Sequence, residues 1–160
     1  MPTLSLHLFG AFSATLGDQP VDHFGSIKNH ALLIYLVAEK GHAQRRERLF
    51  TLLWPGMPER SARHNLRQAL YSLGQLFPDL SAGGEDAPTP LLLADRQTVQ
   101  LNSDASVRSD LQDFDELLGW TRSHAHPSLT DCQVCISGLE QAAELYQGEF
   151  LPSWDAEWVF

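Results

Sequence analysis

Apolar and polar positions alternate along the first 20 residues. Leu4, Leu6 and Leu8 are separated by Ser5 and His7, and Phe12, Ala14 and Leu16 continue the alternation beyond Gly10. A period of two belongs to a strand with one buried face. Gly17-Asp18 reads as a turn, so the pattern predicts a small antiparallel sheet with His7 on its solvent side. The period then lengthens. Ser26 can cap a helix running through IKNHALLIYLVAEKG, which is apolar on most sides from Ala31 to Ala38 and stops at Gly41. Such a helix belongs at the centre of a core. A second helix, roughly 45–53, turns Leu49, Leu52 and Leu53 inward before Pro55 and Pro58 break it.

The third helix, residues 60–77, reads RSARHNLRQALYSLGQLF. At about 100° per residue, Ala62, Leu66, Ala69, Leu70, Leu73, Leu76 and Phe77 fall within an arc of roughly 120°. His64, Arg67, Gln68, Tyr71 and Gln75 lie opposite, with Arg63 and Asn65 on the flanks, and Pro78 ends the helix. A Gly/Pro-rich acidic loop at 81–90 follows. Two short apolar strands, LLLA and TVQL, are then joined around Asp95-Arg96-Gln97 as a hairpin with an arginine at its tip. From Asp104 the chain is acidic and helical: SDLQDFDELLGW, a loop with His124, His126 and Pro127, then CISGLEQAAELYQGEFL. The fold class expected is therefore α+β. An N-terminal antiparallel sheet leads into a three-helix winged helix-turn-helix with a C-terminal β-hairpin wing, and an α-helical segment comes after it.

Composition sets the limits of this reading. The 160 residues are 43% hydrophobic and 19% charged, ordinary for a globular chain able to bury a core. The longest apolar run, 31–38, is too short to span a bilayer, and the N-terminus lacks the basic start of a signal peptide. Two cysteines make no disulfide framework, so a cytoplasmic location and no membrane partner are expected.

Charge changes the picture more. The formal net charge is −9, yet residues 1–80 carry eight Lys/Arg and six Asp/Glu (+2), whereas 81–160 carry three and fourteen (−11). Between 40 and 70, seven basic residues stand against Glu47 and Glu59. A basic island in an acidic chain is a candidate anion-binding face. Its position matters, because the third helix of a winged helix-turn-helix enters the DNA major groove and the wing touches backbone or minor groove. Such a helix needs one apolar face for the core and one face of long donors. Arginine can bond guanine bidentately, glutamine or asparagine can bond adenine, and surplus positive charge engages phosphates. The candidate DNA-binding residues are Arg45, Arg46, Arg60, Arg63, His64, Arg67, Gln68, Tyr71 and Arg96.

Other chemistry is weaker. His124-x-His126-x5-Cys132-x2-Cys135 offers four N/S ligands, but the spacing matches no common zinc finger, and Cys135 falls on the core side of a helix with Leu139. No metal and no cofactor are expected. No phosphate-binding glycine loop or Gly-x-Ser-x-Gly elbow is present, and no catalytic residue is assigned, so an enzyme is not expected. The main rival is a winged helix used for protein contacts, with the acidic helical half as a docking surface.

Three stretches carry a resemblance: KNHALLIYLVAEKG, RRERLFTLLWPGMPERSARHNLRQALYSLGQLFPD and LLLADRQTVQLNSDA. They resemble the OmpR-type winged-helix DNA-binding domain of the Streptomyces antibiotic regulatory protein family, with Leu53-Trp54-Pro55 followed by Asn65-Leu66-Arg67 as the more specific signature. SDLQDFDELL, AAELYQGEFL and DAEWV are similar to the opening of that family's all-helical, tetratricopeptide-like bacterial transcriptional activation domain, at Asp110, Phe114, Tyr146, Gly148, Leu151 and Trp158. The wing departs from many relatives, ending Thr98-Val99-Gln100-Leu101 rather than Gly-Tyr-Arg-Leu. The resemblance implies a DNA-binding domain at 1–103 and the N-terminal part of an activation domain at 104–160. It further implies a transcriptional regulator, usually an activator, that binds short direct repeats near promoters. Its partners would be double-stranded DNA, RNA polymerase and a second copy of the chain on those repeats.

Overall fold

In a computed structural model, residues 2–81, 88–126 and 128–152 are described. Most of the acidic loop at 81–90, Pro127 and Trp158 thus lie outside the described residues. The chain is mixed α+β. Strand β1 (Leu4–His7), β2 (Ser13–Leu16) and β3 (Gln19–Pro20) come first, then helix α1 (Ile27–Ala38), strand β4 (Gln44–Arg45), and helices α2 (Arg46–Leu53) and α3 (Glu59–Leu76). Strands β5 (Leu92–Ala94), β6 (Thr98–Leu101) and β7 (Val107–Ser109) follow, and helices α4 (Asp110–Ser123) and α5 (Gln133–Leu145) complete the order, with one 3-10 turn at Leu129–Asp131. One sheet has the order β3-β2-β1-β7, the other β4-β6-β5. None of the described helices is long and apolar enough to cross a membrane.

Two compact units interleave along the sequence: residues 1–4 with 15–107, and residues 5–14 with those from 108 on. In the first unit α1 is central, as its pattern requires. Seven consecutive residues, Ala31 to Val37, are buried, and Ser26 caps the helix by accepting from the Asn29 N–H at 3.1 Å. Gly41, at φ +84, makes the left-handed turn that leads away from the helix end. Helix α2 buries Leu49, Phe50 and Leu53. Phe50 is buried where Leu52 was expected, with its ring under the Arg63 guanidinium on α3 at 5.6 Å, and Leu52 is only half-buried. Helix α3 buries Ala62, Leu66, Ala69 and Leu73, and Phe77 follows as its C-terminal residue. Leu70 and Leu76 are half-buried, at the edge of the expected arc.

Beyond α3, the Asp79 carboxylate accepts the Ser81 hydroxyl, the Ser81 N–H (3.0 Å) and the Thr89 N–H (2.9 Å). These bonds, led by the Ser81 hydroxyl, hold its pKa below the usual carboxylate range. The hairpin forms where the sequence places it. Leu92 faces Leu101 and Ala94 faces Val99, and β4 adds as a third strand with Gln44 opposite Val99.

In the second unit Ser109 caps α4, accepting from the Gln112 N–H at 3.2 Å. The buried Asp110 carboxylate accepts the N–H groups of Leu8 (2.9 Å), Phe9 (3.1 Å) and Leu111 (2.8 Å). A first-turn carboxylate facing backbone donors suits the positive end of the helix dipole. Phe9 lies against Phe114 and Tyr146, with ring centroids 5.3 Å away in both cases, and against Phe150 at 6.4 Å. Helix α5 ends at Leu145, short of the run read from sequence. The chain turns through Gly148 at φ +154, where a Cβ would come within 3.3 Å of the Gly10 Cα.

Candidate nucleic-acid interface

Three elements of the first unit bring four arginines to one cleft. Arg46 opens α2, Arg63 and Arg67 lie one turn apart on α3, and Arg96 sits at the hairpin tip; all four line a hollow of about 530 Å³ with Asp95 and Phe50. The local sequence explains why they meet. Pairing of Arg45 with Thr98 fixes the start of α2 beside the hairpin. The Arg46 N–H then donates to the Gln97 carbonyl at 2.9 Å, and its Nε donates to the Asp95 carbonyl at 2.7 Å. Arg63 is aimed by Glu59, one turn earlier, at 2.6 Å, and by Glu47 of α2 at 3.9 Å.

Asp95 brings a carboxylate to a cationic hollow, yet its oxygens are turned to the hairpin. One accepts from the N–H groups of Gln97 and Thr98, both at 2.7 Å, and the other accepts the Thr98 hydroxyl at 3.1 Å. Those bonds, led by the Thr98 N–H and aided by the charge of Arg46, hold its pKa below the usual carboxylate range. Asp95 thus stays ionised and shapes the tip that carries Arg96.

The remaining candidates are also placed. Arg45 lines an adjoining hollow of about 370 Å³ together with Arg46, Arg63 and Arg96. Arg60, His64, Gln68 and Tyr71 line neither hollow, but all are exposed on α3, Tyr71 at 65%. Arg60, Arg67 and Arg96 have no carboxylate within ion-pair distance among the described residues. Asn65 is turned aside, its Nδ2 donating to the Met57 sulfur at 3.2 Å. Sequence reasoning missed Phe50 and Asp95, which support the arginines from below and from the hairpin. The Glu59-x3-Arg63 spacing was the legible signal for an oriented guanidinium.

A second cluster occupies the second unit. His124 follows the end of α4, Cys132 is the N-cap of α5, and Cys135 lies in its first turn. One ligand atom from each of the three lies within 4.8 Å of the other two. The Cys135 N–H is the main influence drawing the Cys132 thiol below its ordinary pKa, while burial pushes the Cys135 thiol up. Cys135 is fully buried, as its place on the inner side of the helix predicted.

Three helices, a hairpin and a second small sheet make a mixed α+β arrangement consistent with a winged-helix fold. The chain is similar to Mycobacterium tuberculosis EmbR, solved in complex with a low affinity phosphopeptide. The TM-score is 0.74 at 22% identity, over 99% of this chain and 40% of that one. This likeness bears on the fold, and it agrees with the fold implied by the family resemblance. The chain spans less than half the length of that structure. No protein-family model and no curated protein matches the chain.

Proposed function

We propose that this chain is a sequence-specific double-stranded DNA-binding transcriptional regulator, with α3 reading the major groove and the hairpin meeting the backbone. The observation that carries the reading is the convergence of Arg46, Arg63, Arg67 and Arg96 from three elements, beside the exposed His64, Gln68 and Tyr71. The arrangement separates two tasks. Arg46, tied to the hairpin, presents fixed charge suited to phosphate, while Arg67 and Gln68 stand on the outer face of α3 where base edges are reached. The acidic residues after 104 belong to the helical part, read as the start of an activation domain with RNA polymerase as its partner. Direct repeats would bring two copies together on DNA.

Selection of bound duplexes from a random-sequence library, followed by titration of the selected site at several salt concentrations, tests the proposal. A recovered consensus and a steep fall of affinity with salt are expected. Failure to enrich any duplex at low salt, or binding indifferent to salt, would overturn it.

A further inference from the structure

The second unit holds a grouping of ligands that the proposed DNA-binding role does not use. Two thiols and an imidazole come together where α4 ends and α5 begins, although the sequence spacing follows no common zinc pattern. The fold supplies what the spacing does not. The 3-10 turn at Leu129–Asp131 folds the connection back, and the Cys132 N–H closes that turn on the Leu129 carbonyl at 3.3 Å. One helical turn then brings Cys135 beside Cys132. His124 is oriented from its other side by stacking on Trp120, with ring centroids 5.0 Å apart and planes 24° apart.

We propose that His124, Cys132 and Cys135 form a binding site for a zinc-type divalent cation, stapling the end of α4 to the start of α5. Tetrahedral zinc with sulfur at about 2.3 Å and nitrogen at about 2.0–2.1 Å needs donor atoms about 3.5–3.8 Å apart. The three donors are already within 4.8 Å of one another, so shifts of about an ångström in the donor atoms bring them to those distances. Two thiolates and an imidazole are soft-to-borderline ligands, which suit zinc and disfavour magnesium or calcium. On binding, the two thiols release their protons to solvent and no redox partner is required. His124 and Cys132 are half-buried and Cys135 is buried. His126 is the nearest further imidazole, its ring 5.9 Å from that of His124, and the proposal does not need it as a ligand.

Cobalt(II) titration of the full chain, reduced and freed of metal, tests the site, with native mass spectrometry to count the ions. One ion per chain is expected, with the thiolate-to-cobalt charge-transfer band and the intense visible bands of a tetrahedral centre, both abolished by one equivalent of zinc. Because Cys135 is buried and its replacement can disturb folding, the test rests on the less buried ligands. His124→Gln and Cys132→Ser should each remove stoichiometric binding while circular dichroism shows the helices intact, and His126→Gln should keep it. No stoichiometric binding by the reduced, folded chain would overturn the proposal, as would binding that survives His124→Gln combined with Cys132→Ser. Loss of binding in His126→Gln with retention in His124→Gln would equally overturn it.

Discussion

Helices α3 and α5 are both amphipathic, but they are packed by opposite means. Helix α3 buries Leu66 and Leu73 in alternation with Ala62 and Ala69, so bulky side chains fill the space towards α1 and α2. Helix α5 buries Cys135, Gly138 and Ala142, while its leucines, Leu139 and Leu145, remain half-buried. It approaches α4 so closely that a Cβ on Gly138 would sit 3.3 Å from the Thr121 Cγ2. Their outer faces differ as well. Arg60 and Arg67 are exposed on one, Glu140 and Glu144 on the other. A buried stripe therefore says that a helix packs, while the size of its residues says how close and the opposite face says what it can meet.

The largest expected effect tests the packing half of that contrast. Leu66→Ala leaves a cavity in a leucine-filled interface and should destabilise the chain by about 2–5 kcal/mol in urea unfolding. On α5 the vulnerable change runs the other way. Ala142→Leu forces bulk into a small-residue contact and should cost about 1–3 kcal/mol. If Leu66→Ala were tolerated, α3 would not be held by the leucine packing described.

Acid should weaken the support under α3. Phe77, at its C-terminal end, meets Phe24 at a centroid distance of 6.4 Å, and Phe24 stacks on His30 at 4.5 Å with rings 3° from parallel. Burial lowers the His30 pKa from 6.5 to about 4. Its folded-state pKa lies below the unfolded one, so the unfolded chain takes up the proton first. Stability present above about pH 6.5 is then lost as the pH falls towards 4, by up to about 2 kcal/mol once the ring's partial exposure to solvent is discounted. Thermal unfolding of the wild type and His30→Phe between pH 7 and 4 checks this. Equal pH dependence in both would remove His30 as the cause.

On the proposed DNA-binding role, the contrast between outer faces is tested with duplex DNA. Arg67→Ala should cost about 1–3 kcal/mol in binding to the selected duplex and relax base preference at one position. Arg46→Ala should weaken all duplexes alike and reduce the salt slope by about 1. Glu140→Ala on α5 should leave affinity and preference unchanged. An unaltered consensus with Arg67→Ala would take that arginine out of the groove.

These cases also show what could be read from the sequence. The leucine stripe of α3 was legible because large aliphatic residues recur every three or four positions and only burial explains them. The hairpin was legible from two apolar runs around Asp95-Arg96-Gln97. Strands β4 and β7 were not, because two- and three-residue strands carry no period and exist through their partners. The convergence of Arg46 and Arg96, 50 positions apart, depends on β4 pairing with β6. The spacing of His124, His126, Cys132 and Cys135 offered donors but matched no common zinc pattern, because it is the turn at Leu129–Asp131 that brings His124 to the two cysteines. On α5 the buried positions include Gly138 and Ala142, which mark no face by their size, although they permit the close approach to α4.

The smallest effect separates the two helices most cleanly, because one substitution is made in both. Glycine in a helix interior is less favourable than alanine by about 1 kcal/mol, through backbone entropy. At Gly74 of α3 an added Cβ meets nothing within 4 Å, so Gly74→Ala should stabilise the chain by about 0.5–1 kcal/mol. At Gly138 of α5 the new methyl meets the Thr121 Cγ2 at 3.3 Å and the Trp120 ring at 3.8 Å. Thr121 cannot easily give way, because its hydroxyl donates to the Leu118 carbonyl at 2.8 Å and its branched side chain is stiff. The gain in propensity should therefore be offset, and Gly138→Ala should be neutral or destabilising. The measurement is a pair of denaturant midpoints. Equal stabilisation at both positions would mean that α5 does not need its small residues, and the distinction between the two helices would reduce to charge.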